Sequence, residues 1–278
     1  MQPKIDEELF PPNIKSNFTN FQLIAESTYY NLYEAKAKSN GFQYTIRILN
    51  TSSAVAQEDY NHAATLFLQE ILRLSMKFNQ TDAIIIENFE FNEGKMAFVT
   101  KPYYPLQASQ SKNLPADIDL KKMIKDIVSD INFLHSRMKL GNIKLDPTSI
   151  YVARNADIFF LSDWANATKL QASIQFPDES TTIKLGHDIQ SNATTEIYAL
   201  GLTALSLSGV SKEKIEDLIK IKDTEIYNSA LQTIVASLGA LKQPEPVQKL
   251  ILRMLEKESD KCVKIDELLE PYGCLFSL

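Results

Sequence analysis

The most informative stretch of this chain reads Leu140-Gly141-Asn142-Ile143-Lys144, then Ser149-Ile150-Tyr151-Val152, then Ser162-Asp163-Trp164-Ala165. Apolar runs alternate here with polar turns, which is the pattern of a short hairpin. Lys144 and Asp163 are charged side chains of the kind that contact a phosphate or a cation. Asn142 stands before them and has no carboxylate, so it cannot accept a proton as a general base.

Outward from this stretch, the second half of the chain is predicted to be helical. Apolar residues recur at spacings of three and four from about Ile118 to Arg137, which predicts an amphipathic helix directly before the stretch. A second helix, from about Thr195 to Ser208, is nearly all apolar and is expected to be buried. A third follows Pro244 and Pro246. The two apolar stripes consist of Leu120, Ile124, Ile127, Ile131 and Leu134, and of Val247, Leu250, Ile251, Met254 and Leu255.

The first half predicts a small sheet with one helix. Runs of strand-like composition make a meander, with Asn40-Gly41 as one of its turns. The first seventeen residues are polar, are broken by Pro11-Pro12, and predict an arm without a core of its own. In chain order the predicted elements are strands at 21–24, 31–35 and 44–49, a helix at 62–78, and strands at 83–86 and 96–100.

Composition narrows the class of protein. With 278 residues, 44% hydrophobic and 23% charged, the chain can form one large domain or two lobes. A net charge of -6 argues against binding to nucleic acid or to an anionic membrane surface. Two cysteines exclude a disulfide framework and a cysteine-based zinc cluster. No window reaches the roughly 18 apolar residues of a membrane span, and the N-terminus lacks the apolar core of a signal peptide, so we expect a cytoplasmic or nuclear protein that is not secreted.

Six segments in this order resemble motifs of the protein-kinase family, over about Phe21 to Pro271. The resemblance implies an α+β, bilobal protein-kinase-like fold, with a small β-rich N-lobe containing one helix and a larger helical C-lobe. It implies an arm at 1–17, an N-lobe at 18–103 and a C-lobe at 104–278, with one kinase-like domain over 18–272. The matching segments are Tyr44-Thr45-Ile46-Arg47, Phe67-Leu68-Gln69-Glu70-Ile71, Leu134-His135-Ser136, the stretch 140–165, Glu196-Ile197-Tyr198-Ala199-Leu200-Gly201, and Ile251–Lys257 with Ile265–Leu269.

The catalytic residues of the family are replaced at several of these positions. A kinase needs H-R-D-x-K-x-x-N followed by D-F-G, because an Asp orients the substrate hydroxyl and an Asn and a second Asp hold magnesium. Here Asn142 replaces the first Asp, and loss of a general base costs about 10²–10⁴-fold in rate. Ser149 replaces the Asn if two residues are inserted, and no metal is expected unless Asp163 binds magnesium together with a nucleotide. No catalytic set is therefore intact among the corresponding positions, which are Arg47, Glu70, Asn142, Lys144, Ser149 and Asp163.

The nucleotide-binding positions are altered as well. The segment 25–31, which matches the family's Gly-rich loop, contains no glycine and two tyrosines, so it would crowd a triphosphate. Arg47 replaces the phosphate-binding lysine and could pair with Glu70 without nucleotide; the alternative is a solvated strand residue. Tyr151 could itself enter the purine space. No cofactor is expected, with ATP and Mg²⁺ left open, and the residues implied to line the former cleft are Leu32, Thr45, Arg47, Thr100, Tyr151 and Asp163.

Three hypotheses follow. The first is a catalytically inactive pseudokinase that serves as scaffold, allosteric partner or structural subunit for protein partners, with contacts through the arm, the loop 146–148, the segment 173–194 or the tail 274–276. The second is an atypical ATP-binding protein or weak serine/threonine phosphotransferase that uses Asp163 and Lys144. The third is an α+β protein outside the kinase family whose matches are accidental.

Overall fold

The protein is a mixed α+β structure that divides into two compact units. One unit comprises residues 1–116 and 148–165, and the other residues 117–147 and 166–278. The computed structural model describes residues 10–26, 30–49, 60–78, 86–92, 95–106, 119–141, 143–153, 158–162, 167–169, 193–240, 243–257 and 263–269. The predicted α+β class is confirmed. Asn142, Asp163, the tail 274–276 and nearly all of the segment 173–194 lie outside the described residues.

The first unit is built on an antiparallel five-stranded sheet with the order β1-β2-β3-β5-β4, beside a three-stranded sheet with the order β6-β8-β9. A two-residue pair, β7 with β10, belongs to the second unit. The strands are β1 (Phe18–Glu26), β2 (Tyr30–Ala37), β3 (Gln43–Leu49), β4 (Ile86–Asn92), β5 (Lys95–Thr100), β6 (Tyr103–Pro105), β7 (Leu140–Gly141), β8 (Ile150–Ala153), β9 (Phe159–Leu161) and β10 (Thr168–Lys169).

Helices precede, follow and interrupt these strands. Of the helices among the described residues, none is both long and apolar enough to cross a membrane. They are α1 (Pro12–Asn17), α2 (Tyr60–Phe78), α3 (Leu120–Phe133), α4 (Ala193–Leu207), α5 (Lys212–Lys220), α6 (Thr224–Ala240), α7 (Glu245–Met254) and α8 (Ile265–Leu269).

The five-stranded sheet has an apolar core on each face, because β2, β3 and β5 are central and buried on both sides. The register places Leu32 opposite Arg47, and Arg47 opposite Phe98, so these side chains share one face. Helix α2 supplies Phe67 and Ile71 to the core on that face. The opposite face packs Phe10, Ile14, Tyr33, Ala35, Ile46, Ile48, Ala97 and Val99.

The N-terminal arm predicted for the first seventeen residues is packed on the sheet where the structure describes it. Phe10 and Ile14 are 1% and 0% exposed and belong to the core on the second face. The Lys38 ammonium group donates hydrogen bonds to the carbonyls of Lys15 and Ser16 at 3.1 and 2.8 Å, and so caps the end of α1. Residues 10–17 thus share the core of the first unit, which a polar composition did not predict.

The division into units differs from the predicted boundary between residues 103 and 104. Strand β6 pairs with β8, with Tyr104 opposite Val152, and β8 pairs with β9. These backbone hydrogen bonds hold residues 148–165 to the first unit, although the helices that flank this segment in the chain belong to the second.

The fourth strand overlaps its prediction at 83–86 only at Ile86, because residues 83–85 lie outside the described residues. It begins at Ile86 and ends at Asn92, where Phe89 pairs with Phe98 and Phe91 with Met96. Its sequence, Ile-Glu-Asn-Phe-Glu-Phe-Asn, alternates apolar and polar residues, as expected for an edge strand with one solvated face.

The second unit consists of helices around α4. The stripe predicted before the 140–165 stretch forms α3, whose first turn is capped by the Asp119 carboxylate accepting a hydrogen bond from the Lys122 amide at 3.0 Å. One wide turn, Leu134–Met138, extends α3 and ends at Lys139, which adopts a left-handed conformation with φ 56°. Helix α4 is nearly all apolar, as predicted, and packs against α3, α5 and α7.

Gly201 brings α4 close to the end of α7. A Cβ atom at this position would lie 2.9 Å from Leu255 Cγ and 3.1 Å from Met254 Cβ, which is closer than normal van der Waals contact. The Met254 atom lies next to its backbone, so it cannot rotate away. The missing side chain at Gly201 is therefore a condition for the packing of these helices.

We expect Gly201→Ala to lower the free energy of unfolding by about 1–3 kcal/mol, which is the usual cost of overpacking. Helix propensity alone predicts the opposite sign, a gain of about 1 kcal/mol. Urea denaturation measures the difference, with Ser206→Ala, at an exposed position of the same helix, as a control that changes stability by less than about 0.5 kcal/mol. A stabilised Gly201→Ala protein would contradict the close contact.

Candidate functional site

Predicted site residues gather on the α2 side of the five-stranded sheet, within the first unit. Arg47 lies at the centre of this face, on β3, and its strand neighbours across the register are Leu32 and Phe98. Thr45 lies opposite Thr100 on the same strands. Asn142 and Asp163 are not among the described residues, and Lys144 belongs to the second unit.

A buried ion pair joins the sheet to helix α2. The Arg47 guanidinium donates from Nη1 to the Glu70 carboxylate at 2.5 Å, and the two side chains are 0% and 4% exposed. Its second terminal nitrogen, Nη2, donates to Ser162 Oγ, also at 2.5 Å. The Ser162 hydroxyl in turn donates to Glu70. The three side chains form a closed triangle, and the alternative of a solvated Arg47 does not hold.

The charge of Arg47 is retained despite complete burial. Burial is the largest single influence and by itself would lower the pKa of this side chain, but the Glu70 carboxylate, together with Tyr103, Tyr30 and Tyr151, raises that pKa well above its ordinary value. A buried cation is tolerable only when such a partner is present, because transfer of an unpaired charge out of water costs several kcal/mol. The Glu70 carboxylate is therefore required wherever the Arg47 cation is buried in the first unit.

Aromatic rings enclose the guanidinium. Its carbon atom lies 4.1 Å from the centroid of the Tyr30 ring, and 5.3, 5.6 and 5.9 Å from the ring centroids of Phe98, Tyr103 and Tyr151. All four distances fall within the range of cation–π attraction. Burial raises the pKa of Tyr103, so its phenol stays protonated near neutral pH. Rings and hydroxyls thus fill the space around Arg47.

The Tyr30 hydroxyl lies between Ser162 and the hydroxyl of Tyr151. The Tyr30 hydroxyl lies 3.0 Å from Ser162 Oγ and 3.5 Å from the Tyr151 hydroxyl. The Tyr151 ring also packs on Tyr103 and stacks on Phe160. Tyr151 is 2% exposed. Tyr151 is therefore part of the packed core around Arg47.

Three other predicted residues have structural hydrogen bonds. Thr45 and Thr100 are both 0% exposed, and their hydroxyls lie 2.8 Å apart. The Thr45 hydroxyl also lies 3.1 Å from the Lys101 carbonyl. Ser149 is 1% exposed, and its carbonyl accepts from the Ser162 amide at 2.9 Å, within the β8–β9 hairpin. These contacts place Thr45, Thr100 and Ser149 in the packed interior of the first unit.

Burial limits the reactions that the side chains of this cluster could take part in. A serine beside a carboxylate can act as an activated nucleophile. Ser162, however, is 0% exposed, and Glu70 is already engaged by Arg47. Within the described part of the chain, no three His, Cys, Asp or Glu side chains are grouped so as to hold a metal ion. In the folded protein this cluster therefore has a structural role.

A second buried carboxylate organises the second unit. Glu196, on α4, is 3% exposed and accepts a hydrogen bond from the Ile143 amide at 3.0 Å. It also contacts the His135 side chain, in the turn that ends α3. The Thr203 hydroxyl donates to the Leu145 carbonyl at 2.6 Å. Residues 143–145, which directly follow Asn142, are thereby held on α4.

Lys144 points its ammonium group to Asp146, at 3.4 Å, and both side chains are partly exposed, at 22% and 26%. A partly exposed pair of this kind contributes little to stability. Lys144 thus has a local partner inside the same loop.

Sequence reasoning did not identify Ser162, Tyr103 or Phe98 as members of this cluster. Tyr30 was noted only as a bulky residue in a loop without glycine. Ser162 directly precedes Asp163 in the sequence. This position could have indicated Ser162 as a site residue, because neighbouring residues at the end of a strand lie close together. Tyr103, at the start of β6, is 0% exposed.

Comparisons with known proteins leave the family open. No protein-family model matches the chain. A search of curated proteins also finds no match.

We expect Glu70→Gln to lower the free energy of unfolding by about 3–5 kcal/mol, because it leaves the Arg47 cation buried without a countercharge. Urea or thermal denaturation provides the measurement. In the double variant Arg47→Met/Glu70→Leu, where both charges are absent, most of this loss is expected to be recovered.

Glu216→Gln is the matched control for this experiment. It removes one charge from the exposed Lys212–Glu216 pair, whose atoms are 3.7 Å apart, and is expected to cost less than about 1 kcal/mol. A double variant that is as unstable as Glu70→Gln would show that the buried charge is not the cause.

Proposed function

We propose that the chain is a catalytically inactive member of the protein-kinase-like family, with a bilobal kinase-like fold, and that it works as a scaffold or allosteric subunit in a protein assembly. The observation that carries the proposal is the buried Arg47–Glu70 pair. In active kinases an ion pair joins a lysine on the third strand to a glutamate on the helix that follows. Here an arginine on β3 and a glutamate on α2 make the corresponding bridge.

The second unit offers independent support. The segment 140–144 and the segment beginning at Glu196 were matched to two different family motifs, more than fifty residues apart in the chain. The hydrogen bond from the Ile143 amide to Glu196 joins these segments at 3.0 Å, and the Thr203 hydroxyl adds a second link, at 2.6 Å, to Leu145. Accidental matches would have no reason to be adjacent.

Two observations favour an inactive protein over an enzyme. Asn142 replaces the residue that accepts the proton from the substrate, and such a loss costs about 3–5 kcal/mol of transition-state stabilisation. In the first unit, the guanidinium that replaces the phosphate-binding lysine is 0% exposed and is covered by the Tyr30 ring. A phosphate group would have to displace that ring in order to reach it.

The proposed scaffold role is supported by the packing interactions that both units retain. The apolar positions of both units form packed cores, and the charged pairs that remain are used to hold helices and loops. Selection for catalysis would preserve an accessible lysine and its metal-binding partners. A chain that retains the packed cores but lacks the catalytic groups is expected to function through its surface and through protein partners.

We expect no transfer of phosphate from ATP that depends on Asp163. Purified wild-type chain and Asp163→Ala are incubated with radiolabelled ATP and Mg²⁺, with a general protein substrate present, and incorporation is compared. Equal background in both proteins is the expected result, because the general base is absent and the phosphate-binding cation is covered.

Asn142→Asp serves as a further variant, since it restores only the carboxylate. It is expected to remain at background, because the Arg47 guanidinium stays buried beneath the Tyr30 ring. Incorporation by the wild-type chain that Asp163→Ala abolishes would overturn the proposal and favour the weak phosphotransferase instead.

A further inference from the structure

The Tyr30 side chain is held in the first unit in the way a protein holds a small aromatic ligand. Its ring lies over the Arg47 guanidinium at 4.1 Å, and only 2% of the residue is exposed. Tyr103, Tyr151 and Phe160 belong to the same core cluster and pack on one another around this space. An enclosed ring with one polar atom at its rim is typical of a ligand site, where apolar walls surround a few placed polar groups.

The direction of the hydrogen bonds determines whether the polar group at the edge of the ring must be a donor or an acceptor. Ser162 has a single hydroxyl hydrogen, which it donates to Glu70. Its oxygen accepts from Arg47 at 2.5 Å, and one lone pair remains. The Tyr30 hydroxyl, 3.0 Å away, must therefore be the donor in its contact with Ser162. The position selects an aromatic ring that donates a hydrogen bond from its edge.

The charges of Arg47 and Glu70 determine which net charge a ligand of this position can carry. Arg47 is neutralised by Glu70 in direct contact, and both are buried. A ligand that carried phosphates would bring further negative charge beside the Glu70 carboxylate, and the two negative charges would repel each other. The position therefore favours a neutral molecule.

We propose that Tyr30 is an internal ligand of a phenol-binding site formed by Arg47, Ser162, Phe98, Tyr103 and Tyr151. Removal of its side chain leaves a site for a free, neutral phenol. In the intact chain, any ligand of this site must displace the Tyr30 ring. The inference rests on the proposed function in one respect only, namely that the native chain keeps the site closed to nucleotide.

Chemical rescue of the full-length Tyr30→Ala variant tests the proposal. Its unfolding temperature is measured with phenol, with toluene and with MgATP, beside the wild-type chain. Phenol is expected to raise the unfolding temperature of the variant and to leave that of the wild type unchanged. A ligand at about ten times its dissociation constant raises the ratio of folded to unfolded protein about elevenfold.

Two controls separate this site from any apolar cavity. Phe67→Ala removes a buried ring that packs on Phe98 at 5.5 Å between centroids, and its cavity is expected to favour toluene over phenol. Tyr30→Ala/Ser162→Ala lacks the acceptor, so the advantage of phenol over toluene is expected to disappear. Equal stabilisation of Tyr30→Ala by phenol and toluene, no response to phenol, or a larger response to MgATP would each overturn the proposal.

A milder pair of variants covers the case in which Tyr30→Ala does not fold. Tyr30→Phe removes only the donor, and Ser162→Ala removes only the acceptor. Because both act on one hydrogen bond, the double variant is expected to be about as stable as Ser162→Ala alone. Strictly additive losses would contradict the hydrogen bond between Tyr30 and Ser162. Phosphate transfer by the wild-type chain would overturn the proposed function and leave these outcomes unaffected.

Discussion

The first unit depends on one buried cation. Arg47 lies in the middle of the five-stranded sheet with no exposure to water, and such a charge would prevent folding if it stood alone. Glu70 supplies the countercharge from α2, and Ser162 supplies a hydrogen-bond acceptor from the end of the β8–β9 hairpin. One guanidinium thus fixes the helix and the hairpin against the sheet. Because the attraction is directional, it also sets the rotation of α2, which apolar packing alone would define less sharply.

The second unit uses a carboxylate in a comparable way. Glu196 accepts from the Ile143 amide and contacts His135, so a single side chain on α4 connects the loop after Asn142 with the end of α3. In both units, a buried charge therefore determines where a loop or hairpin lies. Under the proposed function, these are the positions at which an active relative would require precise geometry for catalysis. Here the same positions support a fold whose reactive groups are replaced or covered.

Periodicity predicted helix α3, whose apolar residues form one face, and strand-like composition predicted β2 and β3. Helix α6 had no individual prediction, because small polar residues interrupt its apolar stripe. Of the strand predicted at 83–86, only Ile86 lies among the described residues, where β4 begins. The Arg47–Glu70 pair could be predicted from the resemblance. Ser162 could not, because its partners lie 115 and 92 residues away in the chain and serine carries no periodic signal.

The state of the Arg47 guanidinium is the most direct test of the central claim, that this cation is permanently paired inside the protein and does not serve a nucleotide. In a ¹H–¹⁵N NMR spectrum, terminal N–H groups held by Glu70 and Ser162 should give separate, slowly exchanging signals, since rotation about the guanidinium bonds is hindered. Their assignment follows from their loss in Arg47→Lys. The account predicts that these signals are present in the free protein and do not move when MgATP is added. Averaged signals, or signals that shift with nucleotide, would contradict it.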